Sequence, residues 1–143
     1  MGRLPQFICP IFNTFSIEIT MKGILWLSVV GQVSPVAARY NPAKHLHVTL
    51  DFGVEYEPFA HLIGQKVYVR CYADCYNDKV QAVRVELPAE FRRLCLNKNP
   101  HITISHVDGV GPVESNEMLR TSYTALTFDE TVETVVEFFQ FDR

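Results

Sequence analysis

Apolar and polar residues alternate through most of this chain in short runs, the period-two pattern of strands buried on one face. The two strictest runs, Lys66 to Ala73 and Val80 to Leu87, are joined through Asp74 to Lys79, where Asn77-Asp78 supplies turn chemistry, so they predict an antiparallel hairpin. Upstream, Gly23 to Val30 reads as a strand, and Ser34-Pro35 with Asn41-Pro42 marks a loop with at most one helical turn around Val36 to Arg39. His47 to Gly53 predicts the next strand, and Glu55 to Gly64 a weak helix or irregular crossing stopped by Gly64. Pro88 opens a short helix over Ala89 to Leu96, whose exit loop Asn97-Lys98-Asn99-Pro100 leads to a strand from His101. After the turn Gly109 to Pro112, Ser115 or Asn116 is placed to cap a helical turn reaching Arg120. Two last strands, Tyr123 to Phe128 and Val132 to Phe141, are expected on either side of an Asp129-Glu130 turn. The sum is about seven strands and two or three short helices, an α+β class with antiparallel sheets.

A length of 143 residues suits one hydrophobic core. Residues 1–20 contain Pro5 and Pro10, then the alternating Phe15 to Thr20, and read as an N-terminal extension or an added edge strand; the domain proper is expected over 21–143. Met21 to Val30 followed by Val36-Ala37-Ala38 would pass for a secretory signal if translation began at Met21. The run is too short to span a bilayer, and its continuation through Gly31-Gln32-Val33 favours a strand. A net charge of −3 argues against a surface that coats nucleic acid, so an RNA would be met locally at a cleft. The four cysteines form no Cys-x-x-Cys pair, and Cys71 and Cys75, on one face of an alternating segment, read as small core residues. These features lead to the expectation of a monomer in a reducing, cytoplasmic compartment, without a membrane partner.

The chemistry lies in a repeat. His45-Leu46-His47-Val48-Thr49-Leu50-Asp51 and Pro100-His101-Ile102-Thr103-Ile104-Ser105-His106 share His-hydrophobic-Thr-hydrophobic at their centres. On a strand His47 and Thr49 occupy one face while Val48 and Leu50 occupy the other, and His101 and Thr103 behave likewise. Two such strands at one cleft supply two proton-transfer groups and two neutral hydrogen-bond donors, a set able to break a phosphodiester without a metal. A single His-x-Thr is common by chance; the doubled motif is not. His45 offers a rival, since His45-x-His47 has the spacing of some metal sites, with His101 or His106 to complete the set. That reading explains neither threonine, and His106 falls on the opposite face from His101 unless a bulge intervenes. No metal or cofactor is expected. His61 reads as a surface residue, and Tyr40, Tyr68 and Tyr76 as packing aromatics that could also stack a base.

The repeat resembles the 2H phosphoesterases. Its second copy, followed by Gly109-Val110-Gly111-Pro112-Val113-Glu114-Ser115-Asn116, is similar to the cyclic phosphodiesterase domain of fungal and plant tRNA ligases and related RNA-repair proteins, a likeness running from about Lys22 to the C-terminus. The resemblance implies a two-lobed, pseudo-two-fold 2H (LigT-like) fold of antiparallel sheets and short helices. It also implies a metal-independent hydrolase acting on RNA ends or cyclic nucleotides, which opens a 2′,3′-cyclic phosphate with His47, Thr49, His101 and Thr103 as catalytic residues. Ser105, Ser115, Asn116 and Tyr40 are the candidate substrate contacts. Cleavage of 2′,5′-linked or cyclic oligonucleotides, and RNA-end binding without turnover, are the alternatives.

Overall fold

In a computed structural model, which describes residues 21–34 and 36–141, every strand pairing is antiparallel. The proposed extension over residues 1–20 and Cys9 lie outside the described residues. The strands are β1 (Lys22–Val29), β2 (Asn41–Pro42), β3 (His47–Glu55), β4 (Lys66–Tyr76), β5 (Val80–Glu86), β6 (His101–His106) and β7 (Thr124–Gln140). Two short helices, α1 (Ala89–Leu94) and α2 (Glu114–Arg120), and a 3₁₀ helix at Glu57–Leu62 complete the domain. The strands form one continuous sheet in the order β2-β6-β3-β1-β7-β4-β5, and β5 pairs back onto β6, so the sheet closes into a barrel-like ring. The class is therefore a small antiparallel α+β domain, with the sheet continuous rather than split in two.

Alternation explains the ring. Leu25 and Leu27, Val48 and Leu50, Val67 and Val69, Val83 and Val85, and Ile102 and Ile104 all enter one buried cluster inside it. A second, smaller cluster lies outside, where Met118 and Leu119 of α2 cover Ala73, Cys75, Val80 and Ala82. Residues 22–29, the stretch that imitates a secretory signal, are strand β1, paired between β3 and β7. No helix among the described residues is long and apolar enough to cross a membrane.

The fold corrects the sequence reading at several points. The two expected C-terminal strands are one 17-residue strand, because Asp129-Glu130 is absorbed without reversing the chain. There β4 and β7 slip register between Cys71 and Ala73, and Arg70 donates to Asp129 at 3.1 Å, which anchors the acidic pair as strand. The same irregularity puts Cys71 in the inner cluster and Cys75 in the outer one, so the two thiols do not share a face. Burial raises both, Cys71 to about 12 and Cys75 to about 11, as expected of inert core thiols. α2 has Val113 at its N-cap with no side-chain cap; Ser115 and Asn116 lie inside the helix.

Candidate active site

The seam between β3 and β6 is a single antiparallel pair, Val48 opposite Ile102, both wholly buried in the inner cluster. Continuing that register by one residue sets Thr49 opposite His101 and His47 opposite Thr103, all four on the outer face. The two motifs are thus related by the local two-fold of an antiparallel pair. Strand spacing puts each histidine about 5 Å from the other motif's threonine and the two histidines about 8 Å apart across the diagonal, room for one phosphate between imidazoles. All four side chains line a pocket of about 870 Å³.

Each imidazole is aimed by the carbonyl two residues before it. His101 Nδ1 lies 2.8 Å from the Asn99 carbonyl and His47 Nδ1 3.1 Å from the His45 carbonyl. A carbonyl only accepts, so Nδ1 carries the hydrogen and Nε2 is the lone-pair nitrogen in both neutral rings. His47 is held further: its Nδ1 is 3.0 Å from His45 Nδ1, and His45 Nε2 is 3.0 Å from Ser28 Oγ. With His47 Nδ1 as donor, His45 accepts there and donates from Nε2, so both nitrogens of His45 are engaged within the protein. Trp26 stacks against both rings, with centroids 4.0 Å from His47 and 4.6 Å from His45, and its Nε1–H donates to Glu137 at 3.3 Å. Burial is the main force lowering His47, to about 4; the His45 carbonyl opposes it, and the nearby His45 and His101 rings add to it. Burial also lowers His101, with Asn99 opposing and the Arg84 charge assisting.

Thr103 Oγ1 bonds Ser115 Oγ at 2.8 Å, and both residues are buried. When the serine donates, the threonine hydrogen is free for the pocket, so α2 orients that hydroxyl. The loop over residues 95–100 forms one wall. Leu96 N–H donates to the Leu50 carbonyl at 3.0 Å, and Asn97 Nδ2 donates to Asn116 Oδ1 at 2.8 Å, tying the loop to β3 and α2. Phe52, Leu96 and Val113 stand at the pocket with 68%, 73% and 72% of their surfaces exposed, and Lys98 and Arg120 add positive charge.

Asn116 therefore lines the pocket, while Ser115 acts through Thr103. Ser105 and Tyr40 do not join them. β6 slips register against β5 between Gln81 and Ala82, which turns Ser105 from the face of Thr103 toward Gln81. Ser105 donates to Gln81 Oε1 at 2.6 Å and accepts from the Tyr40 backbone N–H at 3.2 Å, and the Tyr40 hydroxyl donates to the Asn77 carbonyl. Among the described residues no cluster of three or more His, Cys, Asp or Glu side chains forms a metal-binding group. His61 is exposed on the 3₁₀ helix. Trp26, Asn99 and Arg84 are the site neighbours that sequence reasoning missed. Asn99 alone left a trace there, preceding its histidine by the same two residues as His45.

A model of the family described as the fungal tRNA ligase phosphodiesterase domain matches residues 32–140. The chain belongs to that family. Among curated proteins, none matches it. Both His-x-Thr copies lie within the matched residues. The match begins after β1, although β1 lies between β3 and β7 and brings Trp26 to the pocket.

Proposed function

We propose that this domain is a 2H phosphoesterase that opens the 2′,3′-cyclic phosphate of an RNA end to a monoester without a metal. The observation that carries the reading is the Val48–Ile102 seam, whose local two-fold sets two imidazoles and two threonines around one gap. In the reaction a water attacks phosphorus in line with the departing ribose oxygen. One imidazole Nε2 takes the proton of that water, and the other, as imidazolium, returns a proton to the leaving oxygen. Burial keeps the rings neutral, and a phosphodiester anion seated between them favours protonation of the one beside the leaving oxygen. Thr49 and Thr103 donate to the non-bridging oxygens, where charge grows in the transition state. The pocket exceeds what a cyclic phosphate alone needs. Its exposed Phe52, Leu96 and Val113 suit the terminal base and ribose, and Lys98 suits a phosphate of the strand behind them.

The test is incubation of an oligoribonucleotide ending in a 2′,3′-cyclic phosphate, with the product's phosphate position read by chromatography. Turnover should persist in EDTA, and His47→Ala and His101→Ala should each fall about a hundredfold or more with circular dichroism unchanged. Near-normal turnover by either variant would sink the two-histidine mechanism. Loss in EDTA restored by zinc would favour metal hydrolysis, and tight binding of the RNA end without turnover would favour a binding module.

A further inference from the structure

Arg84 stands opposite His101 in the β5–β6 ladder, so Thr49, His101 and Arg84 form a row across three strands on the face that carries the pocket. Its guanidinium has an unusual set of partners. Nε–H donates to the Tyr72 hydroxyl at 3.1 Å, Nη1–H to the Tyr123 hydroxyl at 2.9 Å, and Nη2–H to Asn99 Oδ1 at 3.1 Å. None of these acceptors is a carboxylate. Arg70, by contrast, is paired with Asp129 and Glu86, and Arg120 with Glu117. A half-buried guanidinium loses hydration, and the common remedy is an opposite charge. Here three neutral oxygens hold the fork in place, and among the described residues no carboxylate pairs with it.

Asn99 links that charge to the chemistry. Its side-chain oxygen accepts from Arg84 while its backbone carbonyl accepts from His101 Nδ1–H, so one residue ties the guanidinium to the imidazole. Asn99 N–H is itself bonded to Asn97 Oδ1 at 2.8 Å, which closes the loop around it. We propose that Arg84 is a positioning residue of the phosphodiester site, locking Asn99 so that its carbonyl aims His101, and that its unneutralised charge draws the anionic phosphodiester to the His101 side of the pocket. The proposal rests on His101 being a proton-transfer group.

Several charged or titratable groups face His101. They are Arg84 on β5, His47 and Asp51 on β3, Lys98 in the preceding loop, Arg120 on α2, and Tyr72 and Tyr123 behind Arg84. Of these, Arg84 is the cation that disfavours the His101 imidazolium directly. Removing its charge should therefore let His101 take a proton at higher pH, while keeping the charge without the fork should disturb only the aim.

The experiment is an NMR titration of the His101 ring, combined with steady-state kinetics on the cyclic-phosphate oligoribonucleotide, for wild type, Arg84→Gln, Arg84→Lys and Asn99→Asp. Asn99→Asp keeps the shape and neutralises Arg84 in place, so it serves if Arg84→Gln fails to fold. Expected for Arg84→Gln and Asn99→Asp are an upward His101 titration and a fall of about tenfold or more in kcat/KM, mostly through KM, as for a lost electrostatic pull on the anion. Expected for Arg84→Lys is a His101 titration like wild type with a reduced kcat. An unmoved titration in both neutralised variants, or a kcat/KM within twofold of wild type in them, would overturn the proposal. If the wild type itself gives no turnover, the phosphodiesterase reading fails, and the His101 titration still decides the coupling to Arg84.

Discussion

Burial holds both imidazoles of the pocket below the usual histidine range, and that preference has a consequence for stability. Above about pH 6.5 His47 is neutral folded or unfolded, and its burial carries no protonation penalty. As the pH falls below that value the unfolded chain takes up a proton that the folded chain refuses, so stability declines until the folded site titrates near about 4. Thermal melts should show the melting temperature dropping across this window, and His47→Gln should flatten the drop; an unchanged slope would mean that His47 is protonated in the fold. Ser115→Ala removes the partner of the buried Thr103 hydroxyl and should cost about 1 kcal/mol in denaturant melts. It should also lower kcat more than it raises KM, because the threonine then loses its orientation. The four central residues were legible in sequence because strand parity pairs each histidine with a threonine, whatever the rest of the chain does. Their supports were not. Trp26 and Arg84 reach the motifs from other segments, and nothing local in a sequence records such contacts; Ser115 was named as a substrate contact, whereas it bonds Thr103.

Elements read well where alternation ran unbroken and failed where a strand slipped. Nothing in the sequence around Tyr72 or Ile104 announces a register shift, so parity misplaced Cys75, and Ser105, named as a substrate contact, turns to Gln81 instead, although the strands themselves were expected. Asp129-Glu130 has turn composition but no glycine or proline to reverse the chain, and a neighbouring strand kept it extended. Glycine does mark the irregularity in β3. Gly53 has φ +76 where β3 slips against Gly23 and Ile24 of β1, a backbone region that other residues adopt only under strain. Gly23 has a different reason for being glycine: a Cβ there would overlap the Phe139 carbonyl oxygen of β7. Gly23→Ala should therefore force β1 and β7 apart, lowering stability by about 1–3 kcal/mol in urea melts. A variant as stable as wild type would mean that β7 yields easily at this point.

For the whole molecule, β1 is a full member of the ring although the family match starts beyond it. A chain beginning at Met21 keeps every described strand and should equal the full chain in turnover and melting temperature; an insoluble or inactive product would place residues 1–20 within the domain. A chain beginning at Gln32 loses β1 and Trp26 and leaves β3 and β7 with open edges, so it should aggregate, as light scattering would show. The ring also orders events in time. β1, near the start of the described chain, is completed by β7 at its end, and loop closure over such a separation is slow compared with local pairing. During synthesis both His-x-Thr motifs leave the ribosome well before β7 does. A nascent chain halted ahead of Thr124 would contain every residue of the two motifs, with β1 and Trp26 free to pair with β3, and still lack the strand that joins β1 to β4 and closes the ring. The barrel-like ring would close only when β7 joins it.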